Sequence, residues 1–87
     1  MYQTPIPPKI ILLKITGQVL KWRRQDTPEH EFLVFCPRKM TKEECAAIEE
    51  IVCERLRRRR PVATVRTWLK EGDFALALKS LERTLNQ

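Results

Sequence analysis

The chain has 87 residues, enough for one domain with a single modest core, and a formal net charge of +6. Hydrophobic residues at 43% against charged residues at 32% exclude a disordered chain, and the positive balance favours polyanionic partners. Pro5, Pro7 and Pro8 exclude the apolar core of a signal peptide near the start, and the longest apolar run, Ile10 to Leu13, is far below membrane-spanning length. The expectation is a cytoplasmic protein with no membrane contact.

Residues 1–8 read as an extended arm, because three prolines deny it a helix. Residues 9–87 read as a single compact domain. Within it, Lys9 to Arg24 fits two patterns. Leu12, Ile15, Val19 and Trp22 share a helical stripe, yet β-branched residues dominate and Thr16-Gly17 offers a turn. Two strands at about 10–15 and 18–24 are preferred. Gln25 to His30 is a loop around Asp26, Thr27 and Pro28. Glu31 to Cys36 is a buried strand ended by Pro37.

Thr41-Lys42-Glu43-Glu44 has the spacing of a capping box. Cys45, Ile48, Val52 and Leu56 then form an apolar stripe, which predicts a helix over 42–59. Pro61 suits the first turn of a second helix carrying Val62, Val65 and Leu69 on one face. Gly72 terminates that helix and Asp73 caps a third, whose stripe is Phe74, Leu78, Leu81 and Leu85. The expected fold class is α+β: a small antiparallel sheet from the N-terminal third, packed against two or three helices. The alternative is all-α.

Arg57, Arg58, Arg59 and Arg60 are consecutive, with Arg55 before them and Arg66 after. Successive helical residues rotate by about 100°, so no single face can bury four adjacent guanidinium groups. The negative end of a helix dipole explains one or two of them. Four in a row repel one another, and phosphate is the usual counter-charge for guanidinium forks. A second basic group is Lys14, Lys21, Arg23 and Arg24 with Trp22 between them, an arrangement in which the indole could stack on a base while the cations hold phosphates. In the competing reading Trp22 belongs to the core and its neighbours face water.

Val62 to Phe74, through the phrase Thr64-Val65-x-x-Trp68-Leu69, resembles the recognition-helix end of helix-turn-helix modules, which implies a short helix in the major groove. Trp68-Leu69-x-x-Gly72-Asp73-Phe74-x-x-Ala77-Leu78 looks like a tetratricopeptide hairpin, which implies two antiparallel helices. Either phrase also suits an ordinary packed helical pair.

Signs of catalysis are few. With Gly17 and Gly72 as the two glycines there is no phosphate loop, and Ser80 has no nucleophile-elbow context. Cys36, Cys45 and Cys53 form no closely spaced pair, and His30 is the one histidine, so no zinc motif arises. A His30–Cys36 dyad has little weight without spatial proximity. The sequence points to a non-enzymatic protein without metal, cofactor or small-molecule substrate. Its first expected function is DNA or RNA binding through an arginine phosphate clamp, as a regulator or accessory subunit of a nucleoprotein complex. The alternative is an adaptor whose C-terminal helical hairpin docks a protein partner or a second copy.

Overall fold

The computed structural model of the chain describes residues 10–16 and 18–86, the side chains of 11–16 excepted. The expected arm at 1–8 and the turn glycine Gly17 lie outside the described residues. Six elements follow in order: β1 (Ile10–Thr16), β2 (Val19–Arg24), β3 (Glu31–Phe35), α1 (Lys42–Arg58), β4 (Val65–Trp68) and α2 (Phe74–Leu85). The architecture is α+β. The strands lie side by side in chain order as one four-stranded sheet.

Two expectations need correction. The sheet is mixed rather than antiparallel: β1, β2 and β3 form an antiparallel meander, but β4 pairs parallel to β3, with Phe32 opposite Val65 and Phe35 opposite Trp68. Parallel neighbours require a long crossover, and α1 supplies it. The segment expected to be the second helix is therefore strand. Val65, Thr67 and Trp68 are strand-formers, and Thr67 is buried between exposed Arg66 and Trp68, a period of two. The helical spacing of Val62, Val65 and Leu69 lost to that alternation. Both the recognition-helix and the tetratricopeptide resemblance need a helix here, and both fail with it.

On β2 and β3 every second side chain is buried. Leu20, Trp22, Phe32 and Val34 form one cluster with Ile48, Val52 and Leu56 of α1 and Ala77, Leu81 and Leu85 of α2. Both helices thus cover the same face of the sheet. Trp22, 1% exposed, is the largest fully buried side chain. The buried line of α2 runs through Ala77, Leu81 and Leu85, while Phe74 and Leu78 sit partly buried at its margin. Leu81 and Leu85 of the expected stripe are buried, and Ala77 takes the place expected of Phe74 and Leu78.

The helix starts are where the capping signals put them. Glu44 N donates to Thr41 Oγ1 at 3.2 Å, and Thr41 N donates to Glu44 Oε1 at 2.9 Å. Asp73 Oδ1 accepts from Leu76 N at 3.2 Å. Gly72 makes the bend before it with φ of 104°, a left-handed value that a Cβ would strain. Arg38 adds a forked ion pair to the capping box, at 2.9 and 2.6 Å from the two Glu44 oxygens. That pair, with the Thr41 amide, pulls the Glu44 carboxyl down to about 2 from 4.5. A depressed carboxyl stabilises the fold above its unfolded value, and the contribution is lost as pH falls through about 2. Thr41→Ala is expected to cost about 0.5–2 kcal/mol. Glu44→Ala should also lower stability, since it removes the acceptor of the Thr41 amide and the pair with Arg38. Thermal melts at neutral pH and at pH 2 check both: the difference between wild type and Glu44→Ala should shrink in acid, and a constant difference would contradict this account.

Candidate functional site

The arginine run begins in regular helix and ends outside it. Arg55, Arg57 and Arg58 occupy the last turn of α1; Arg59 is the C-cap, in extended geometry at φ −136° and ψ 129°. Pro61 disfavours helix at the residue before it, which releases Arg60 from the helix as well. The break spreads the guanidinium groups over different directions. Arg58 donates to Asn86 Oδ1 at the end of α2. Arg60 lies 3.6 Å from Asp26 Oδ2 in the β2–β3 loop, and Arg55 Nη1 donates to the Arg59 carbonyl at 3.4 Å.

Around the end of α2 these side chains line a concave notch of about 260 Å³, formed by Arg55, Arg58, Arg59, Leu85 and Asn86. It adjoins a second hollow of about 170 Å³ whose lining includes Arg55, Arg66, Thr67 and Thr84. Arg55 belongs to both and joins them. Burial, and then repulsion from Arg59 and Arg58, lower the Arg55 pKa from its ordinary value. Among the described residues, Arg55, Arg57, Arg58, Arg59 and Arg66 make no ion pair with a carboxylate. The notch is therefore a cluster of positive charge held against itself, which an anion would relieve.

The second basic group divides. Trp22 is in the core, so its indole has no face for a base; this corrects the stacking expectation. Arg24, beside it, also turns inward: Nη1 donates to the Leu56 carbonyl at 2.7 Å and Nε lies 2.7 Å from Asp26 Oδ1. Arg24 thus caps the end of α1, and Asp26 ties it to Arg60. Lys21 and Arg23, at alternate positions, take the opposite face of the sheet, where Lys21 pairs with Glu31 at 3.3 Å. A clamp that drew on both basic groups would need Arg55–Arg60 and Lys21–Arg24 on one face, and they do not share one. Two surfaces form instead: the helix-end notch and the outer sheet face. Arg66, at the edge of the sheet, borders both.

Sequence reading missed two partners. Asn86 holds Arg58, and nothing in its local context marks it. Phe35 and Trp68 stack on the outer face with ring centroids 5.1 Å apart and planes 19° from parallel. Their signal was the alternation within β3 and β4, hidden once 61–71 was assigned to helix. A wider groove of about 470 Å³ between α1 and α2 shares Arg55, Arg58, Leu85 and Asn86 with the notch and is lined further by Ile51, Leu78, Glu50, Glu54, Lys79 and Glu82, so it has no single sign of charge.

The thiols also rearrange. Cys53, which lies off the stripe of Cys45, Ile48, Val52 and Leu56, is nevertheless buried like Cys36, because α1 is covered over an arc wider than that stripe. Cys45 is the partly exposed one. Burial, reinforced by neighbouring Cys45, pushes the Cys36 thiol up to about 11, which leaves it protonated and a poor nucleophile at neutral pH. Cys45 should therefore be alkylated first in the native protein, with Cys36 and Cys53 reacting only as it unfolds; mass spectrometry after a short iodoacetamide pulse reads the order. Fast labelling of Cys53 would contradict the buried assignment. Among the described residues no cluster of His, Cys, Asp and Glu could hold a metal ion, and no helix is long and apolar enough to cross a membrane.

Comparison with protein-family models, with characterised proteins and with solved structures finds no match, so the reading of the site rests on its geometry and chemistry alone.

Proposed function

We propose that the protein is a small nucleic-acid-binding protein, non-enzymatic, in which the arginines at the end of α1 clamp phosphates. The observation that carries this reading is the convergence of Arg55, Arg58, Arg59 and Arg66 around two adjoining hollows without a carboxylate partner. A solvated helix end has no reason to gather a fourth arginine from a strand that follows it in sequence. Guanidinium forks match phosphate geometry in pairs, and an excess charge of +6 draws the protein toward a polyanion at long range. A role as a regulator or accessory subunit of a nucleoprotein complex, in a reducing cytoplasm that keeps the three thiols free, fits this chemistry. The adaptor reading in its first form required a helical hairpin at the C-terminus, and the strand at Val65–Trp68 removes that hairpin.

The test is a salt titration of the wild-type protein against random duplex DNA and against single-stranded RNA. Binding should weaken log-linearly with salt, with a slope near −0.9 per phosphate contact on duplex or near −0.7 on single strands. Failure to bind either polymer at low salt would remove the reading.

A further inference from the structure

The outer face of the sheet carries chemistry that the helix-end notch does not use. Both helices lie on the other side, and no described element covers this one. Its rows follow from the register. Val19, Phe35 and Trp68 are aligned across β2, β3 and β4; Lys21, Leu33 and Arg66 form the next row, and Arg23 and Glu31 the one after. Trp68 is 67% exposed, unusual for an indole in a strand. Its ring already stacks on Phe35, which fixes its orientation and leaves its outer plane to solvent.

We infer that this face is a stacking platform for single-stranded nucleic acid, on which Trp68 carries a base while Arg66, which has no carboxylate partner among the described residues, holds a flanking phosphate. The inference rests on the nucleic-acid reading above but uses different residues, Arg66 apart. Aromatic stacking accepts any base, because every base has a π-face, and a pre-stacked pair loses little freedom when a third ring joins it. Arg66 and Trp68 are two residues apart on one strand, so their side chains leave the same face about 7 Å from each other. That separation suits one base and an adjacent phosphate.

Two competing occupants fit less well. A duplex keeps its bases inside, and a four-stranded sheet spans about 14 Å between its outer strands, wider than the major groove of about 12 Å. A second copy related by a two-fold axis would bring the same patch against itself. Here that would oppose Lys21, Arg23 and Arg66 to their own images, with Glu31 already engaged by Lys21.

The two tryptophans make the test direct. Trp22 is buried and Trp68 exposed, so their emissions differ in wavelength and in accessibility to quenchers. A single-stranded homopolymer of about 12 nucleotides, within the usual site-size range, should quench the Trp68 emission and spare that of Trp22. Trp68→Ala should weaken single-strand binding about 5- to 150-fold without changing the salt slope, because no phosphate contact is lost. Trp68→Phe should retain most of the affinity and report that the fold is intact, while Arg66→Ala should weaken binding and reduce the magnitude of the slope by about 0.7. Wild-type single-strand affinity in Trp68→Ala, or binding without quenching in the wild type, would overturn the platform and leave the arginine clamp standing. Absence of any nucleic-acid binding would remove both. Concentration-dependent shielding of Trp68 without nucleic acid, with a dimer in sedimentation, would give the face to a second copy and overturn the inference.

Discussion

Trp22→Ala is expected to cost about 3–5 kcal/mol, a large part of the stability of a domain this small. Trp22 lies at the centre of β2, at the junction of the sheet with both helices, and no neighbour can fill the space of an indole without moving. Leu81→Ala, from the buried line of α2, should cost about 2–5 kcal/mol for the same reason. Leu78→Ala, at the margin of that line, should cost less than Leu81→Ala. Urea unfolding at an unchanged m-value gives the ordering through the shift in midpoint. The order Trp22, Leu81, Leu78 follows from burial alone. A fully stable Leu81→Ala would mean that α2 does not rest on the sheet, and its apolar line would then be a docking face.

Replacing Arg57, Arg58, Arg59 and Arg60 together with alanine is expected to weaken nucleic-acid binding by about 10²- to 10³-fold near 0.15 M salt. That magnitude is the ceiling set by counterion release, with all four arginines on phosphate at about 0.7–0.9 each and the salt slope reduced by about 3. The far-UV circular dichroism should change little. The contacts given up, Arg58 with Asn86 and Arg60 with Asp26, are exposed, and exposed pairs contribute about 0–1 kcal/mol. The folded geometry sharpens the test. Arg60 is partly occupied by Asp26 and Arg57 lies outside the notch lining, whereas Arg55 and Arg66 line the hollows. A second variant with Arg55, Arg58, Arg59 and Arg66 replaced should therefore lose more affinity than the consecutive set. Equal, unchanged salt slopes in both variants would sink the clamp.

The elements that could be read directly were those with local signals. Thr41 and Glu44 announce a helix by side-chain bonds that span three residues, and Asp73 announces another. The β2 and β3 strands were legible from their β-branched and apolar residues and from the Thr16-Gly17 and Pro37 signals that bound them. The segment at 61–71 was misread because its partner is remote: Val65–Trp68 becomes a strand by pairing with residues more than 30 positions earlier, and no local spacing records that. The error carried into the site. The Arg57–Arg60 run was visible as a charge that cannot be buried on one face, but its companions were not. Arg66 reaches Arg55 only because β4 returns to the edge of the sheet, and Phe35 meets Trp68 only through the parallel register. Trp22 was ambiguous in sequence because an aromatic among cations serves a core as readily as a surface. Alternation with Leu20 settled it.

The parallel edge strand has a kinetic meaning as well. β1, β2 and β3 can assemble from hairpins of neighbouring residues, while β4 must wait until α1 has formed and carried the chain back. With four residues bonded along one side, β4 is expected to close last and open first. Its amides should exchange with deuterium ahead of those in β2, which is paired on both sides. Arg66 and Trp68 ride on that strand, so a ligand they hold binds only the closed form and should slow exchange in β4 more than anywhere else in the sheet. The strand that assembles last is then the one that a bound strand of nucleic acid would do most to fasten.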